Sequence, residues 1–246
     1  MARLDILLAR NLGWSRAAAR DAIADGRIAV AGTPVEDPRA DLDATEPLAA
    51  TVDDEPVSLF DVARVLLNKP LGCVTALRDA RHPTAYALLR EAPLHAELRP
   101  VGRLDADTSG LLLWTTDGAE IQRLTHPKRA VPRTYQVALA GPYRPLPAHL
   151  ALDDGHRPGV TELTALTRDD AHPSLAIPAD ASVLASITIT GGAYHEVRRI
   201  FAALDSHVLG LCRVRFGDID LPRDLPLGEY RVIPNGIPGR IESRTG

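Results

Sequence analysis

Asp105 and Asp107 stand two residues apart in the stretch VGRLDADTSGLLLWTTDG, residues 101–118, where a polar turn runs straight into an apolar run at 111–114. Carboxylates so placed could bind a metal, cap a helix, or act as reactive groups at the mouth of a sheet. The metal option fails on its ligands. Asp105, Asp107, Ser109 and Gly110 fit positions 1, 3, 5 and 6 of a calcium loop, but position 12, which must supply a bidentate glutamate, is Thr116. Strand-forming residues follow the turn, so no row of helix N–H groups awaits a cap. A bland turn or a functional carboxylate is left, and its companions decide between them.

Two other segments carry complementary groups. VPRTYQVALAG, residues 131–141, alternates as a strand and puts Arg133, Tyr135, Val137 and Leu139 on one face. ITITGGAYHEVRRIFAAL, residues 187–204, reads as strand, Gly191-Gly192 turn and helix, with Val197, Ile200, Phe201 and Leu204 as its buried stripe. At about 100° per residue Arg198 flanks that stripe and can reach inward, while Arg199 points nearly opposite, toward solvent or phosphate. A carboxylate, a tyrosine and an inward guanidinium suit chemistry at a glycosidic carbon. Arg198 within about 4–6 Å would hold Asp105 ionised. Tyr135 would offer a ring to stack on a base and a hydroxyl for proton transfer. No metal or organic cofactor is called for.

The 246 residues suffice for one or two domains, and the composition, 45% hydrophobic and 24% charged, is that of a globular protein. No apolar run approaches the roughly 20 residues of a membrane span, and the N-terminus carries Arg3, Asp5 and Arg10 in place of a signal peptide's apolar core. A cytoplasmic protein with two buried thiols, Cys73 and Cys212, is expected. The net charge of −4 hides an uneven distribution. Asp41, Asp43, Glu46, Asp53, Asp54 and Glu55 crowd residues 40–60 without a base, whereas Arg123, Lys128, Arg129 and Arg133 face only Glu120 within 120–135. An RNA partner is therefore compatible with the acidic total.

The first 34 residues read as helix, turn, helix, hairpin. Leu4, Leu7 and Leu8 share a face, Gly13 ends the first helix, Ser15 caps the second, and Ala31-Gly32-Thr33 turns the hairpin. Arg16 and Arg20 lie one helical turn apart and Arg27 stands at the helix end, a grouping of guanidiniums that suits a phosphate backbone. Further on, VARVLLNKPLGCVTA reads as two strands around a Pro70–Gly72 turn, Thr84 as the cap of a short helix, and the Pro-containing segment 167–181 as a surface loop.

Arg3-Leu4-Asp5, Gly13-Trp14-Ser15-Arg16 and Gly26-Arg27-Ile28-Ala29-Val30-Ala31-Gly32 together resemble an S4 RNA-binding domain. Residues 102–118 match throughout the G-R-L-D-x-D-T-x-G-L-L-L-x-T-x-D-G signature of the RsuA/RluB-type pseudouridine synthases. Arg133-Thr134-Tyr135, with Arg where Lys is usual, Gly192 to Arg199, and LPLGEYRVI at 225–233 resemble that family's remaining motifs. The resemblance implies an α+β protein: an S4 domain at 1–58, a linker at 59–64, a catalytic domain at 65–234 and a disordered polar tail at 235–246. The catalytic domain would carry a mixed, mostly antiparallel sheet around a central active-site cleft. The resemblance also makes Asp105 the essential carboxylate, with Tyr135 and Arg198 completing the catalytic set. Arg3, Arg16, Arg20, Arg27, Arg103, Lys128, Arg129, Arg133, His195 and Arg199 are the expected RNA contacts. The implied reaction isomerises a uridine of ribosomal RNA, free or in an assembling particle. Arg81-His82-Pro83-Thr84 tilts the choice toward 16S RNA. The alternatives are a 23S enzyme, a non-catalytic ribosome-associated RNA-binding protein, and an N-glycosidase that stops at uracil release.

Overall fold

The computed structural model describes residues 1–234; the expected polar tail, 235–246, lies outside the described residues. Helix α1 (Leu4–Leu12) buries Leu4, Leu7 and Leu8 and ends at Gly13, whose φ of 68° is the left-handed turn that only glycine adopts without strain. The Ser15 hydroxyl accepts from the Ala18 N–H at 3.1 Å and starts α2 (Arg16–Ala24), as the sequence predicts. Strands β1 (Ile28–Val30), β2 (Thr33–Pro34), β3 (Leu48–Val52) and β4 (Glu55–Leu59) form an antiparallel sheet in the order β2-β1-β3-β4. Both helices pack on it through Ala19, Ile23, Ile28 and Leu59.

The chain then enters a nine-stranded sheet. Its main path comprises β5 (Arg64–Lys69), β6 (Ser109–Thr115), β7 (Arg133–Leu139), β8 (Val160–Ala165), β9 (Val183–Ile189), β10 (Val208–Phe216) and β11 (Tyr230–Val232). The order is β8-β9-β7-β10-β6-β5-β11, with two-residue strands at Arg99–Pro100 and Ile219–Asp220 beside β6 and β10. Every ladder is antiparallel except β6 with β10, which pairs in parallel only at Ser109 and Gly110. Side chains alternate between two cores, as strand periodicity demands. Leu112, Trp114, Tyr135, Val137 and Ile187 face helix α4 (Glu196–Ala203), whose Val197, Ile200 and Phe201 close that side. Leu111, Leu113, Ala138 and Phe216 face Leu124 of α3 (Gly118–Thr125) and Leu175.

Two local expectations are corrected. After Pro70–Gly72 no second strand forms; Val74 makes a single bridge to Thr84, because the backbone and side chains here are engaged with the loop before β6. Segment 167–181 is a loop, exposed at 167–170, but its middle is packed rather than lying on the surface. Ala171, His172, Ser174 and Leu175 are buried, the Ser174 hydroxyl accepts from Asn68 at 2.8 Å, and the Ser174 carbonyl accepts from Ser109 at 2.7 Å. The connection at residues 60–63 is pinned as well. Asn11 exchanges hydrogen bonds with the Phe60 backbone, and Arg10 pairs with Asp61 and with Glu97 of the larger sheet's domain, both at 2.8 Å. Among the described residues no helix is long and apolar enough to cross a membrane.

Candidate active site

Asp105 sits in the loop that feeds β6 into the sheet. Gly110, at φ 101°, lies so close to the Arg213 carbonyl and the Cys212 sulfur that no side chain fits; this approach joins β6 to β10 in parallel. Ahead of that joint, all five carbonyls from Leu104 to Thr108 are occupied. The Thr75 hydroxyl donates to the Leu104 carbonyl at 2.8 Å and accepts from its N–H at 3.1 Å. Lys69, at the end of β5 and fully buried, spends its three N–H donors on the carbonyls of Asp105 (2.9 Å), Thr108 (2.8 Å) and Pro70 (3.0 Å). The Gly72 N–H donates to the Ala106 carbonyl at 2.7 Å, and Arg198 donates to that of Asp107 at 3.1 Å. Burial lowers the Lys69 pKa, partly offset by Cys73, Asp105 and Asp107.

With the backbone saturated, the Asp105 carboxylate is left over. It is 44% exposed and makes no hydrogen bond with the described residues; its nearest ionisable partner is His195, whose Nε2 lies 3.6 Å from Oδ2. The expected Arg198–Asp105 pair does not form. Arg198 does reach inward from α4, 22% exposed, but its guanidinium takes Asp107 at 2.8 Å and the Val208 carbonyl at 3.1 Å. The two aspartates are two residues apart in a turn, and the one facing α4 is the second.

The loop before α4 is built to aim His195. His195 holds a left-handed φ of 50°, uncommon outside glycine. Buried Glu196 accepts from the Ala193 N–H at 3.0 Å and meets His156 at 2.9 Å, and Arg133 donates to the Gly191 carbonyl. Tyr194, 76% exposed, stacks on the His195 ring with centroids 3.8 Å apart and planes 19° apart. Tyr135 lies on β7 as expected, 8% exposed.

The basic residues fall into two groups. Arg3, Arg16 and Arg20 converge on one buried carboxylate, Asp5, at 3.0, 3.4 and 2.9 Å. Arg27 pairs with Asp53, Arg199 with Asp153 and Asp154, and Arg133 lies over Phe216 at 5.0 Å. Arg103, Lys128 and Arg129 are exposed and enter no ion pair among the described residues. Arg103 stands two residues before Asp105 in the same loop, and Lys128 and Arg129 follow the end of α3. Both cysteines are free and buried, and burial pushes Cys212 up to about 11, which keeps it an inert thiol. No group of three or more His, Cys, Asp or Glu among the described residues is arranged to hold a metal ion.

Sequence reasoning missed Lys69, Thr75, Asp5 and Glu196. Lys69 carried one signal: a lysine at the end of an apolar strand, in a chain with just two lysines, must find partners where it is buried.

Residues 63–203 match the family model described as RNA pseudouridylate synthase, and residues 2–46 match the S4 domain. Ribosomal small subunit pseudouridine synthase A of Haemophilus influenzae is 34% identical over 236 residues, 94% of this chain and 95% of that protein. Its namesake in Escherichia coli strain K12 is 35% identical over 232 residues, 94% and 96% of the two chains. An RNA pseudouridine synthase of Bacillus subtilis described as uncharacterized is 32% identical over 236 residues, 94% of each. A crystal structure of a pseudouridylate synthase aligns with a TM-score of 0.56 at 31% identity, covering 95% of this chain and 96% of that one.

Proposed function

The chain belongs to the RNA pseudouridylate synthase family, and on that premise we propose that it isomerises one uridine of 16S ribosomal RNA to pseudouridine, with Asp105 as the essential carboxylate. The observation that carries this reading is a carboxylate left unbonded on a loop whose every carbonyl is fixed. The target base would leave its stack to reach the site. Asp105 then acts at the ribose as nucleophile at C1′ or as base toward a sugar proton. Both routes need an ionised, open and immobile carboxylate. The bond from uracil N1 to C1′ breaks, the base turns, C5 joins C1′, and the C5 proton leaves while N1 gains one. In this reading Tyr135 stacks on the base and moves that proton. Arg198 is a positioning residue that works through Asp107.

RNA would be held at two places. Residues 1–58 act as the S4 unit, joined through 59–64 to catalytic residues 65–234. On the S4 unit Arg3, Arg16 and Arg20 share one anion, leaving two positive charges for phosphate. On the catalytic side Arg103, Lys128 and Arg129 offer cations with no ion pair among the described residues. Arg27 and Arg199 hold exposed aspartates, pairs weak enough to exchange for phosphate. The choice of 16S RNA rests on the names of the relatives and on Arg81-His82-Pro83-Thr84.

The test uses small-subunit RNA, naked and in partly assembled particles, with wild type and Asp105→Asn. Pseudouridine is mapped by carbodiimide labelling and reverse-transcription stops, and free uracil is assayed alongside. One new stop, absent with Asp105→Asn and without uracil release, is expected. A stop on 23S RNA alone would overturn the 16S assignment; tight binding without modification of either RNA would overturn the enzymatic one.

A further inference from the structure

Of the ten Phe, Tyr and Trp rings in the chain, nine are at least partly buried and Tyr194 alone is exposed. Leaving an aromatic ring in water forgoes burial that a fold ordinarily uses, and an exposed ring at a site mouth is the usual mark of a recognition surface. Its surroundings are ordered rather than loose. One face lies on His195 at 3.8 Å, and the His195 imidazole reaches Asp105 at 3.6 Å. The loop beneath is anchored at each step: Arg133 on the Gly191 carbonyl, Glu196 on the Ala193 N–H, His156 on Glu196. A carbon side chain at position 191 would collide with the Glu196 carboxylate, so the loop cannot drift inward without losing that anchor. The result is a short ladder of parallel rings that starts at the candidate catalytic carboxylate and ends with an unoccupied aromatic face in solvent.

We propose that the outer face of Tyr194 is a stacking subsite for the RNA base beside the uridine that enters the active site. This rests on the function proposed above and deepens it. Extruding a uridine breaks its neighbour's stacking, and a fixed ring at the cleft mouth replaces that partner and holds the strand open. Every base has a π-face, so the subsite supplies affinity and register without reading sequence. The ring carries the effect and the hydroxyl does not. His195 is the floor of the ladder and keeps Tyr194 upright.

The test is tritium release from small-subunit RNA labelled at uridine C5, read as separate KM and kcat values for wild type, Tyr194→Ala and Tyr194→Phe. Tyr194→Ala should raise KM about 10- to 100-fold, the usual size of a lost base–aromatic stack, with kcat at saturation within about threefold. Tyr194→Phe should restore KM to within about threefold of wild type. An unchanged KM in Tyr194→Ala, a loss confined to kcat, or a Tyr194→Phe as impaired as Tyr194→Ala would each overturn the subsite. A second measurement separates its failure from that of the enzymatic reading: binding of a fluorescein-labelled single-stranded uridine-rich oligonucleotide to Asp105→Asn with and without Tyr194→Ala. Weaker binding with Tyr194→Ala, even if the wild type releases no tritium, leaves the subsite standing and removes the isomerisation. Normal tritium release with binding and KM indifferent to Tyr194→Ala does the reverse.

Discussion

Arg3-Leu4-Asp5 and Arg103-Leu104-Asp105 are the same tripeptide a hundred residues apart, each followed by an apolar run. At the first, Asp5 is fully buried in the opening turn of α1, and three guanidiniums close over it. At the second, Asp105 is 44% exposed and no guanidinium among the described residues pairs with it. The difference lies in what the neighbouring backbone consumes. At Asp5 the helix satisfies its own carbonyls, so nearby arginines are free for the side chain. At Asp105 the loop has no helix or ladder, and the two inward-facing cations are drawn elsewhere: Lys69 is saturated by three carbonyls and Arg198 is held by Asp107 and Val208. An irregular backbone and a neighbouring aspartate that take up Lys69 and Arg198 leave a reactive carboxylate without their charge, and that is how the site keeps it available.

The comparison is sharpest when each carboxylate loses its charge. Asp105→Asn should lower turnover by about 10³-fold or more while unfolding in denaturant changes by less than about 0.5 kcal/mol, since no hydrogen bond with the described residues is lost. Asp5→Asn should do the opposite. If Asp105→Asn instead destabilises the fold, the two aspartates are both structural and the contrast disappears.

Lys69→Met comes next. It removes three charge-assisted hydrogen bonds and leaves buried carbonyls without donors, an effect of about 3–5 kcal/mol on unfolding. Where enough folded protein remains, kcat should fall about 100-fold with KM for RNA nearly unchanged, because a loosened Asp105 no longer meets the sugar in line. A variant that folds and turns over like wild type would show that the loop does not need its lysine.

How far the sequence foretold these two settings depends on the range of the interactions. Gly13, Ser15 and Thr84 were legible because a cap acts within three residues. The stripe of Val197, Ile200, Phe201 and Leu204 was legible because helical periodicity is local. Which aspartate Arg198 would take was not legible. Asp105 and Asp107 are chemically identical, and turn geometry alone chooses between them. Lys69 and Thr75 escaped notice because the partners that tie them to the loop are carbonyls 29 to 39 residues away, and a carbonyl has no letter in the sequence. Segment 167–181 misled because its prolines signal a loop, whereas Ser174 is fixed by Asn68 and Ser109, each from a different strand. For the same reason the arginines of the S4 unit were recognised and the buried Asp5 that gathers them was not.

Asp5→Asn should destabilise by about 1–3 kcal/mol: the lost carboxylate is buried, but its arginines are one-third to one-half exposed and water screens part of the loss. RNA binding through the S4 unit should weaken alongside, as the guanidiniums lose their common anchor.

The smallest effect is the pH dependence of that difference. Burial pushes the Asp5 carboxyl up, but hydrogen bonds from Arg20, Arg3 and Arg16 outweigh it and hold the pKa below the ordinary value. A carboxylate whose folded pKa is depressed adds stability that is fully present above its unfolded pKa, about 4, and is lost as pH falls through the folded one. Unfolding free energies of wild type and Asp5→Asn should therefore differ by a constant amount from pH 7 down to about 5 and converge below about 4. Parallel curves for the Asp5 pair across the whole acid range would mean that the three arginines do not depend on the charge at Asp5, and the contrast between the two aspartates would reduce to exposure alone.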